Sequence, residues 1–403
     1  MLFKKSKKLF IHVDCDCFFA SCEILKNPHL KWKMVCVWNE IVIACSYEAK
    51  AMWIKTWTPI WEAKRILWKF WYYFWTNHNY YSYISDKIMK YLENNTLSIE
   101  PFSIDEAFCE ITWLAEMYKL SISDYIKKLQ NNILKHIWIP VSIWVANTRI
   151  KAKIYSKINK PYWVYIWYND FQEKTLFKKL PLKDIPYIWK SHQERYKYCC
   201  KTIYDYISLW FWQIKKDIWK NGTDLWLDLS WVNTFVVKKN PQAKSIWRSR
   251  SFNKYMTSNY DFLKSQLIIH FDTVYEDISN KNLEIKTISI MLRDKDFNTY
   301  MYNYKLKEHT NLRNIIFEKL IKLFNKNYQK NILYRSTWIV LSDFKSYLPK
   351  QLGIFDKPLR NKEHNFKLVK AINSINQKYN SHKISFWIAL LNKWYDAKLG
   401  IRK

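Results

Sequence analysis

Glycine is almost absent from this chain, which has 3 glycines and 23 tryptophans among its 403 residues. Average usage of about 7% would give roughly 28 glycines. Glycine is the residue that reaches positive φ without a steric cost, so a folded chain this poor in glycine has few ordinary ways to form tight turns. The glycine deficit and the tryptophan excess are of comparable size.

Two explanations fit this composition. A gene biased toward A and T would favour lysine, isoleucine, asparagine and tyrosine, and the chain is rich in all four. Alternatively, the source organism reads the codon UGA as glycine, and the translation writes it as tryptophan. Position favours the second explanation, because tryptophan stands where turns and close backbone approach call for glycine. The clearest such positions are Trp138, Trp144, Trp163 and Trp231, whereas Trp212 and Trp226 lie in apolar periodic contexts and are expected to be genuine.

Paired cysteines and long apolar runs are missing too. The eight cysteines form no Cys-x-x-Cys pair and no Cys/His spacing typical of zinc, so we expect a reduced, cytoplasmic protein. The basic opening segment has an apolar run too short for a signal peptide or a membrane span, and none follows. A membrane is therefore not an expected partner.

Acidic residues are few relative to basic ones. Lysine and arginine number 66 against 35 acidic residues, a formal net charge of +31. A lysine-rich proteome accounts for part of this excess, but its size indicates a polyanionic partner, nucleic acid before membrane.

Apolar patterning alternates between strand and helix periods, which predicts an α+β fold of roughly two to four domains. The first 168 residues mix strands and helices, 169–235 are mostly helical, 236–248 form a basic linker, and 249–345 alternate again. Strands are predicted at 8–14, 34–38, 41–45, 97–112 as a pair, 141–146, 283–294 and 337–344, and helices at 17–27, 46–52, 82–95, 121–137 and 148–159.

Three acids lie at the ends of apolar runs: Asp14, Asp105 and Glu106. A lone Asp-Glu pair is usually a solvated turn, but buried carboxylates need a partner, and adjacent acids repel each other unless a cation lies between them. Mg²⁺ suits carboxylate oxygens, and two such ions can activate an attacking oxygen and stabilise a leaving phosphate.

Four segments resemble the signatures of Y-family, translesion DNA polymerases. They are "HVDCDCFFASCE" (12–23), "SYEAKAMWIKTWTPI" (46–60), "SIDEAFCEIT" (103–112) and "SIWVANTRIKAKIYSKINKPYW" (142–163). The match requires glycine at Trp53, Trp57, Trp61, Trp144 and Trp163. The resemblance runs in order over about 1–350 and implies a right-hand-like α+β polymerase. The implied domains are a palm (1–19 and 79–168), fingers (20–78), a helical thumb with a helix-hairpin-helix (169–235), a linker (236–248), a little finger (249–348) and a C-terminal tail (349–403).

The resemblance also assigns the catalytic site. Asp14, Asp105 and Glu106 would hold two Mg²⁺ ions with the backbone carbonyl of Cys15, while Asp16 is not expected to be a ligand. The nucleotide contacts would come from Phe18, Phe19 as a steric gate against the ribose 2′-hydroxyl, Tyr47, Lys50 and Lys160. Two departures weaken the phosphate contacts: Lys50 stands where the family often has arginine, and Ala44 where a hydroxyl residue is common.

Partners follow from the same resemblance. Primer-template DNA would meet Lys190, in a helix-hairpin-helix turn with glycine expected at Trp189, and Arg248 and Arg250. The peptide "QLGIFD" resembles a sliding-clamp docking motif. Its clamp-binding residues would be Gln351, Leu352, Ile354 and Phe355. The tail and "SIDEAFC" favour the UmuC branch, with a UmuD-like accessory subunit and a natural chain that continues further, whereas "HVDCDCFF" and "SYEAK" are closer to DinB.

The expected function is template-directed, error-prone DNA synthesis from dNTPs opposite damaged bases, as part of the SOS response and mutagenesis. No segment resembles a proofreading nuclease. A catalytically silent adaptor that binds DNA and the clamp is the alternative, and the three acids argue against it. A nucleotidyl cyclase shares the two-metal chemistry but would lack the helix-hairpin-helix and the clamp peptide.

Overall fold

The computed structural model describes residues 8–68, 71–167, 170–188, 193–194, 196, 198–230, 232, 237, 243–252 and 255–346. The chain divides into two compact units, Met1–Pro241 and Gln242–Lys403. This boundary falls inside the predicted linker 236–248. No helix within the described ranges is long and apolar enough to cross a membrane.

Within its described residues, the first unit combines strands and helices up to Ile166 and is helical from Asp170 to Leu229. Its strands are β1 (Phe10–Cys15), β2 (Met34–Trp38), β3 (Val42–Cys45), β4 (Trp71–Trp75), β5 (Ser98–Pro101), β6 (Glu106–Glu110), β7 (Val141–Ala146) and β8 (Val164–Ile166). Its helices are α1 (Phe18–Lys26), α2 (Tyr47–Ala51), α3 (Ile60–Leu67), α4 (His78–Asn95), α5 (Leu114–Met117), α6 (Ile122–Ile137), α7 (Arg149–Tyr155), α8 (Asp170–Lys179), α9 (Ile203–Ser208) and α10 (Phe211–Leu229), with short 3₁₀ turns at Pro28–Leu30 and Leu182–Asp184.

A five-stranded sheet, in the order β5-β6-β1-β7-β8, forms the centre of this unit. The central strand β1 is antiparallel to both β6 and β7, while β7 and β8 run parallel. Successive side chains of a strand point to opposite faces. Ile11 and Val13 accordingly lie in one apolar cluster with residues of α4 and α6, and His12 and Asp14 point to the other face. This alternation brings Asp14 out of the main core at the end of β1.

A smaller sheet, in the order β3-β2-β4, lies between α1 and α4 in the sequence. Its β2 and β3, which match the strands predicted at 34–38 and 41–45, form an antiparallel hairpin. The predicted start of helix α6 is also confirmed, because the hydroxyl of Ser121 accepts a hydrogen bond from the backbone N–H of Asp124 and caps the helix. Helices α7 to α10 share a further apolar cluster around Tyr155, Phe177 and Tyr206.

The described part of the second unit, 243–252 and 255–346, is a four-stranded antiparallel sheet with two helices packed on one face. Its elements are β9 (Ser245–Ser251), α11 (Tyr260–Asn280), β10 (Leu283–Asp294), β11 (Thr299–Thr310), α12 (Arg313–Asn327) and β12 (Tyr334–Ser346). The strand order is β11-β10-β12-β9. Ile288, Ile290 and Ile339 of the sheet pack with Phe271 and Phe324 of the helices. Strand β9 begins at Ser245, so the end of the predicted linker already belongs to this sheet.

Candidate functional site

Two of the three predicted acids face each other across neighbouring strands. Asp14 of β1 lies directly opposite Glu106 of β6. Asp105 immediately precedes β6, and its carbonyl accepts a hydrogen bond of 2.9 Å from the backbone N–H of Cys15. The strand register thus gathers three acidic residues, far apart in the sequence, at one edge of the central sheet.

Asp14 is almost completely buried, and its carboxylate pairs with a lysine. The Nζ atom of Lys160 lies 2.6 Å from the Oδ2 atom of Asp14. Burial raises the pKa of Asp14 to about 7, because the low dielectric disfavours the charged carboxylate; Lys160 opposes this shift, and Glu106 adds to it. Asp14 therefore needs more positive charge than one lysine supplies.

Glu106 is in the opposite electrostatic situation. The Nζ atom of Lys153 lies 2.6 Å from both of its carboxylate oxygens, and the Nε2 atom of His12 lies 3.7 Å from Oε2. Burial alone would raise the pKa of Glu106, but the contacts with His12 and Lys153 prevail and hold it well below its ordinary value. Burial also lowers the pKa of His12 to about 4, so this imidazole is neutral at pH 7.

Asp105 is partly exposed, and the hydroxyl of Ser103 donates a hydrogen bond to its carboxylate. Across the described ranges, no three histidine, cysteine, aspartate or glutamate side chains are grouped tightly enough to hold a metal ion as they stand. Lysines lie against two of the three acids instead. Sequence reasoning missed Lys153 and His12, although His12 shares a strand face with Asp14.

Asp16 is buried, and its carboxylate is held by hydrogen bonds within the protein. Its carboxylate accepts from the backbone N–H of Tyr162 at 2.8 Å and from the Tyr47 hydroxyl at 3.2 Å. Burial raises the pKa of Tyr47 well above its ordinary value, so the phenol stays protonated. Lys50 is exposed, with its Nζ atom 4.4 Å from the centre of the Tyr47 ring and 3.1 Å from the Cys17 sulfur. Asp16 therefore orients the Tyr47 hydroxyl, and the Tyr47 ring in turn contacts the Lys50 ammonium. Both residues are predicted phosphate contacts.

The two phenylalanines of α1 have different environments. Phe18 is buried in the core, whereas Phe19 is only partly buried. The Phe19 ring stacks on Tyr81 of α4, with ring centroids 4.5 Å apart and planes 18° from parallel. This stacking fixes the orientation of the predicted gate.

Helix α7 was predicted to extend over 148–159, but it ends at Tyr155. Two of its basic side chains, those of Arg149 and Lys151, are buried. Lys151 is fully buried and forms an ion pair of 2.7 Å with Glu173, which also accepts a hydrogen bond from the Tyr155 hydroxyl. Arg149 pairs with Glu100 of β5. These cations join α7 to its neighbours.

In the second unit, the two predicted DNA-binding arginines extend from β9 toward helix α11. Arg248 forms an ion pair of 2.6 Å with Asp277 and is about half exposed. Arg250 donates a hydrogen bond of 3.1 Å to the Gln266 side chain. The remaining predicted contacts lie outside the described residues, namely Trp189, Lys190, Gln351, Leu352, Ile354 and Phe355.

Comparison with known proteins adds independent findings. Residues 13–157 match the model of the impB/mucB/samB family, and residues 243–354 match that of its C-terminal domain. The chain is 27% identical over 398 residues to DNA polymerase IV of Oceanobacillus iheyensis, covering 94% of this chain and 91% of that protein. It is 26% identical over 416 residues to DNA polymerase IV 1 of Bacillus subtilis, covering 99% and 93% respectively.

A solved structure agrees with this result. A chimera of the Y-family DNA polymerases Dbh and Dpo4 superposes with a TM-score of 0.68 at 22% identity, covering 84% of this chain and all of that one. Neither relative named above has a UmuC name, so the preference for the UmuC branch gains no support from them. The two family models together span well over half of the chain, which therefore belongs to the impB/mucB/samB family and has the fold of the Y-family DNA polymerases.

Proposed function

We propose that this chain is a template-directed DNA polymerase of the translesion type, which adds deoxynucleotides to a primer 3′-hydroxyl. The observation that carries the proposal is the in-register pair Asp14 and Glu106, with Asp105 beside them, at the edge of the central sheet. The polymerase names of the relatives agree with it. The adaptor alternative is not favoured, since an adaptor has no use for buried acids whose charge needs compensation.

The acidic edge fits divalent cations, and we assign it two Mg²⁺ ions. Its carboxylate oxygens suit a hard cation, and the resemblance adds the backbone carbonyl of Cys15 as a further ligand. Asp14, with a pKa raised to about 7, gains most from added positive charge. Bound at Asp14, Asp105 and Glu106, the ions would polarise the attacking hydroxyl and the α-phosphate.

In the reaction, the primer 3′-oxygen forms a bond to the α-phosphorus. The bond from that phosphorus to the oxygen bridging to the β-phosphate breaks, and pyrophosphate leaves. The Tyr47 phenol, anchored by Asp16, donates a hydrogen bond to the triphosphate, and the exposed Lys50 adds positive charge. Lys160 exchanges its contact with Asp14 for a phosphate, which frees that carboxylate.

Phe19 acts as the steric gate, because its ring is held by Tyr81 while one side remains partly exposed. Excluding a 2′-hydroxyl by collision requires a ring that cannot swing away. Phe19→Ala should raise ribonucleotide insertion relative to deoxynucleotide insertion by about 10- to 100-fold, measured as the ratio of kcat/KM values. An unchanged ratio with intact dNTP insertion would exclude this role.

Primer-template DNA is the polyanion that the net charge of +31 fits. Arg248, Arg250 and Lys190 are assigned to backbone contacts, and "QLGIFD" to the sliding clamp. We also propose the palm, fingers, thumb, little-finger and tail boundaries given above, a cytoplasmic location, a UmuD-like accessory subunit, and a role in SOS mutagenesis. These assignments rest on the family resemblance.

Primer extension with four dNTPs and Mg²⁺, on undamaged and abasic templates, tests the function. Asp105→Asn combined with Glu106→Gln should lower the rate by about 10³-fold or more and leave DNA binding intact. Glu93→Gln combined with Glu116→Gln removes two exposed acids as the matched control. An Asp105→Asn, Glu106→Gln double variant as active as wild type would refute the site. A wild type that binds DNA but extends nothing would favour the adaptor.

A further inference from the structure

Six tryptophans adopt a backbone conformation that large side chains avoid. Their φ angles lie between 46° and 77°, in the left-handed region. A non-glycine residue there is uncommon, and a bulky one is an outlier. The six positions are Trp32, Trp53, Trp57, Trp68, Trp113 and Trp138.

Each of these backbones serves a turn or a helix end. Trp138 is the left-handed C-cap of α6 and donates its N–H to the Leu134 carbonyl, a position where glycine is the usual residue. Trp68 ends α3 at φ 46° and ψ −119°, the conformation of the first central residue of a type II′ turn, which is normally glycine. The backbone conformation at these positions thus favours glycine, the residue with no Cβ atom.

The indoles themselves contribute little burial. All six are 62–81% exposed, whereas Trp144 and Trp226 are buried at negative φ. Among the described residues, the one ring contact of the six is that of the Lys31 ammonium with its neighbour Trp32. These indoles therefore gain little from burial to offset the cost of their backbone conformation.

Composition points the same way, because no glycine precedes Gly222 in the chain. We propose that these six positions are glycine in the protein as its own cell makes it, because a codon translated here as tryptophan specifies glycine in that cell. These backbone angles and exposures do not depend on the proposed function. We do not extend the proposal to Trp144, whose indole N–H donates to the Ile158 carbonyl from inside a strand.

Peptide mass mapping of the protein isolated from its own cells, with the transcript sequenced alongside, tests the proposal. We expect glycine and the codon UGA at all six positions, and tryptophan and UGG at Trp226. Tryptophan in the six native peptides would overturn the inference whatever the enzyme does.

A recombinant comparison tests the physical argument separately. Changing all six tryptophans to glycine should raise the thermal midpoint by roughly 10 °C or more, because every change relieves a left-handed Cβ clash. The matched control is Trp212→Gly, an exposed indole within α10 at negative φ, and it should lower the midpoint. A sixfold variant no more stable than the starting protein would contradict the strain argument.

Discussion

The end of β1 and the start of β6 each present a carboxylate to a lysine 2.6 Å away, and yet the two acids respond in opposite directions. The pKa of Asp14 rises to about 7, and that of Glu106 falls well below its ordinary value. The difference lies in burial and in the number of stabilising contacts. Asp14 is the more buried and receives one bond from Lys160, whereas Glu106 contacts His12 and is reached at both oxygens by Lys153.

This difference separates two tasks within one site. A carboxylate whose charge is under-compensated attracts further cations, and one whose charge is already satisfied keeps its position without them. In the proposed metal site, Asp14 is therefore the carboxylate that gains most from a bound cation. The Glu106 carboxylate, on the next strand, is already held in place by Lys153.

The largest expected effect is on the pH dependence of folding in a chelator. The raised pKa of Asp14 means that its contribution to stability is complete below pH 4 and is lost as pH rises through 7. That loss amounts to roughly 4 kcal/mol. Asp14→Asn should remove this fall between pH 4 and 7, as measured by urea unfolding at several pH values. Parallel curves for wild type and variant would show that the buried carboxyl is not under-compensated.

Glu106 should show the opposite sign. Its lowered pKa means that its contribution is present above the unfolded value of 4.5 and is lost as pH falls below it. Glu106→Gln should therefore destabilise the chelated protein at pH 7 by about 1–3 kcal/mol, since Lys153 loses an ionic partner. Urea unfolding beside the exposed control Glu116→Gln measures the change. A stabilised Glu106→Gln variant would abolish the contrast between the two strands.

Lys153 sets the third expectation, because its ammonium lies against a carboxylate assigned to metal. Lys153→Gln should tighten Mn²⁺ binding about tenfold, as a competing charge within ~4 Å is removed. Electron paramagnetic resonance titration of free Mn²⁺ measures this without catalysis. Lys157→Gln removes an equal charge next to α7, from a pair with Asp184 at 3.8 Å, and should leave the affinity nearly unchanged. Weaker Mn²⁺ binding in Lys153→Gln would contradict this expectation and show that Lys153 positions Glu106 for the metal.

The sequence predicted the acids because each follows or precedes an apolar run that alternates with the strand period. Asp14 ends one such run and Glu106 begins another, so their burial at strand ends was predictable from the pattern, whereas their proximity was implied by the family resemblance. The lysine contacts with these acids could not be predicted from the sequence pattern. Lys153 contacts Glu106 only because α7 crosses the same sheet face, and no local pattern distinguishes it from Lys151, which pairs with Glu173 instead.

The positions that call for glycine in turns could be predicted in part from the sequence. Trp53, Trp57 and Trp138 were suspected from motif and context, and all three have positive φ. Trp32, Trp68 and Trp113 lie in segments with no recognisable signature, and only their backbone angles single them out. Trp144 fits the structure as tryptophan, since a strand accommodates a large buried ring where a turn does not.

The smallest expected effect extends the comparison to an exposed ion pair. Arg248 and Asp277 lie 2.6 Å apart with side chains 45% and 34% exposed, so solvent screens the pair. Arg248→Gln should change the free energy of unfolding by only about 0.2–1 kcal/mol. It should also reduce the slope of log K for DNA binding against log salt by about 1, because one phosphate contact is lost. Lys322→Gln, from the exposed pair with Glu318, should match the stability change and leave the slope intact. Equal slopes in both variants would show that Arg248 does not contact DNA and serves only to pair with Asp277 of helix α11.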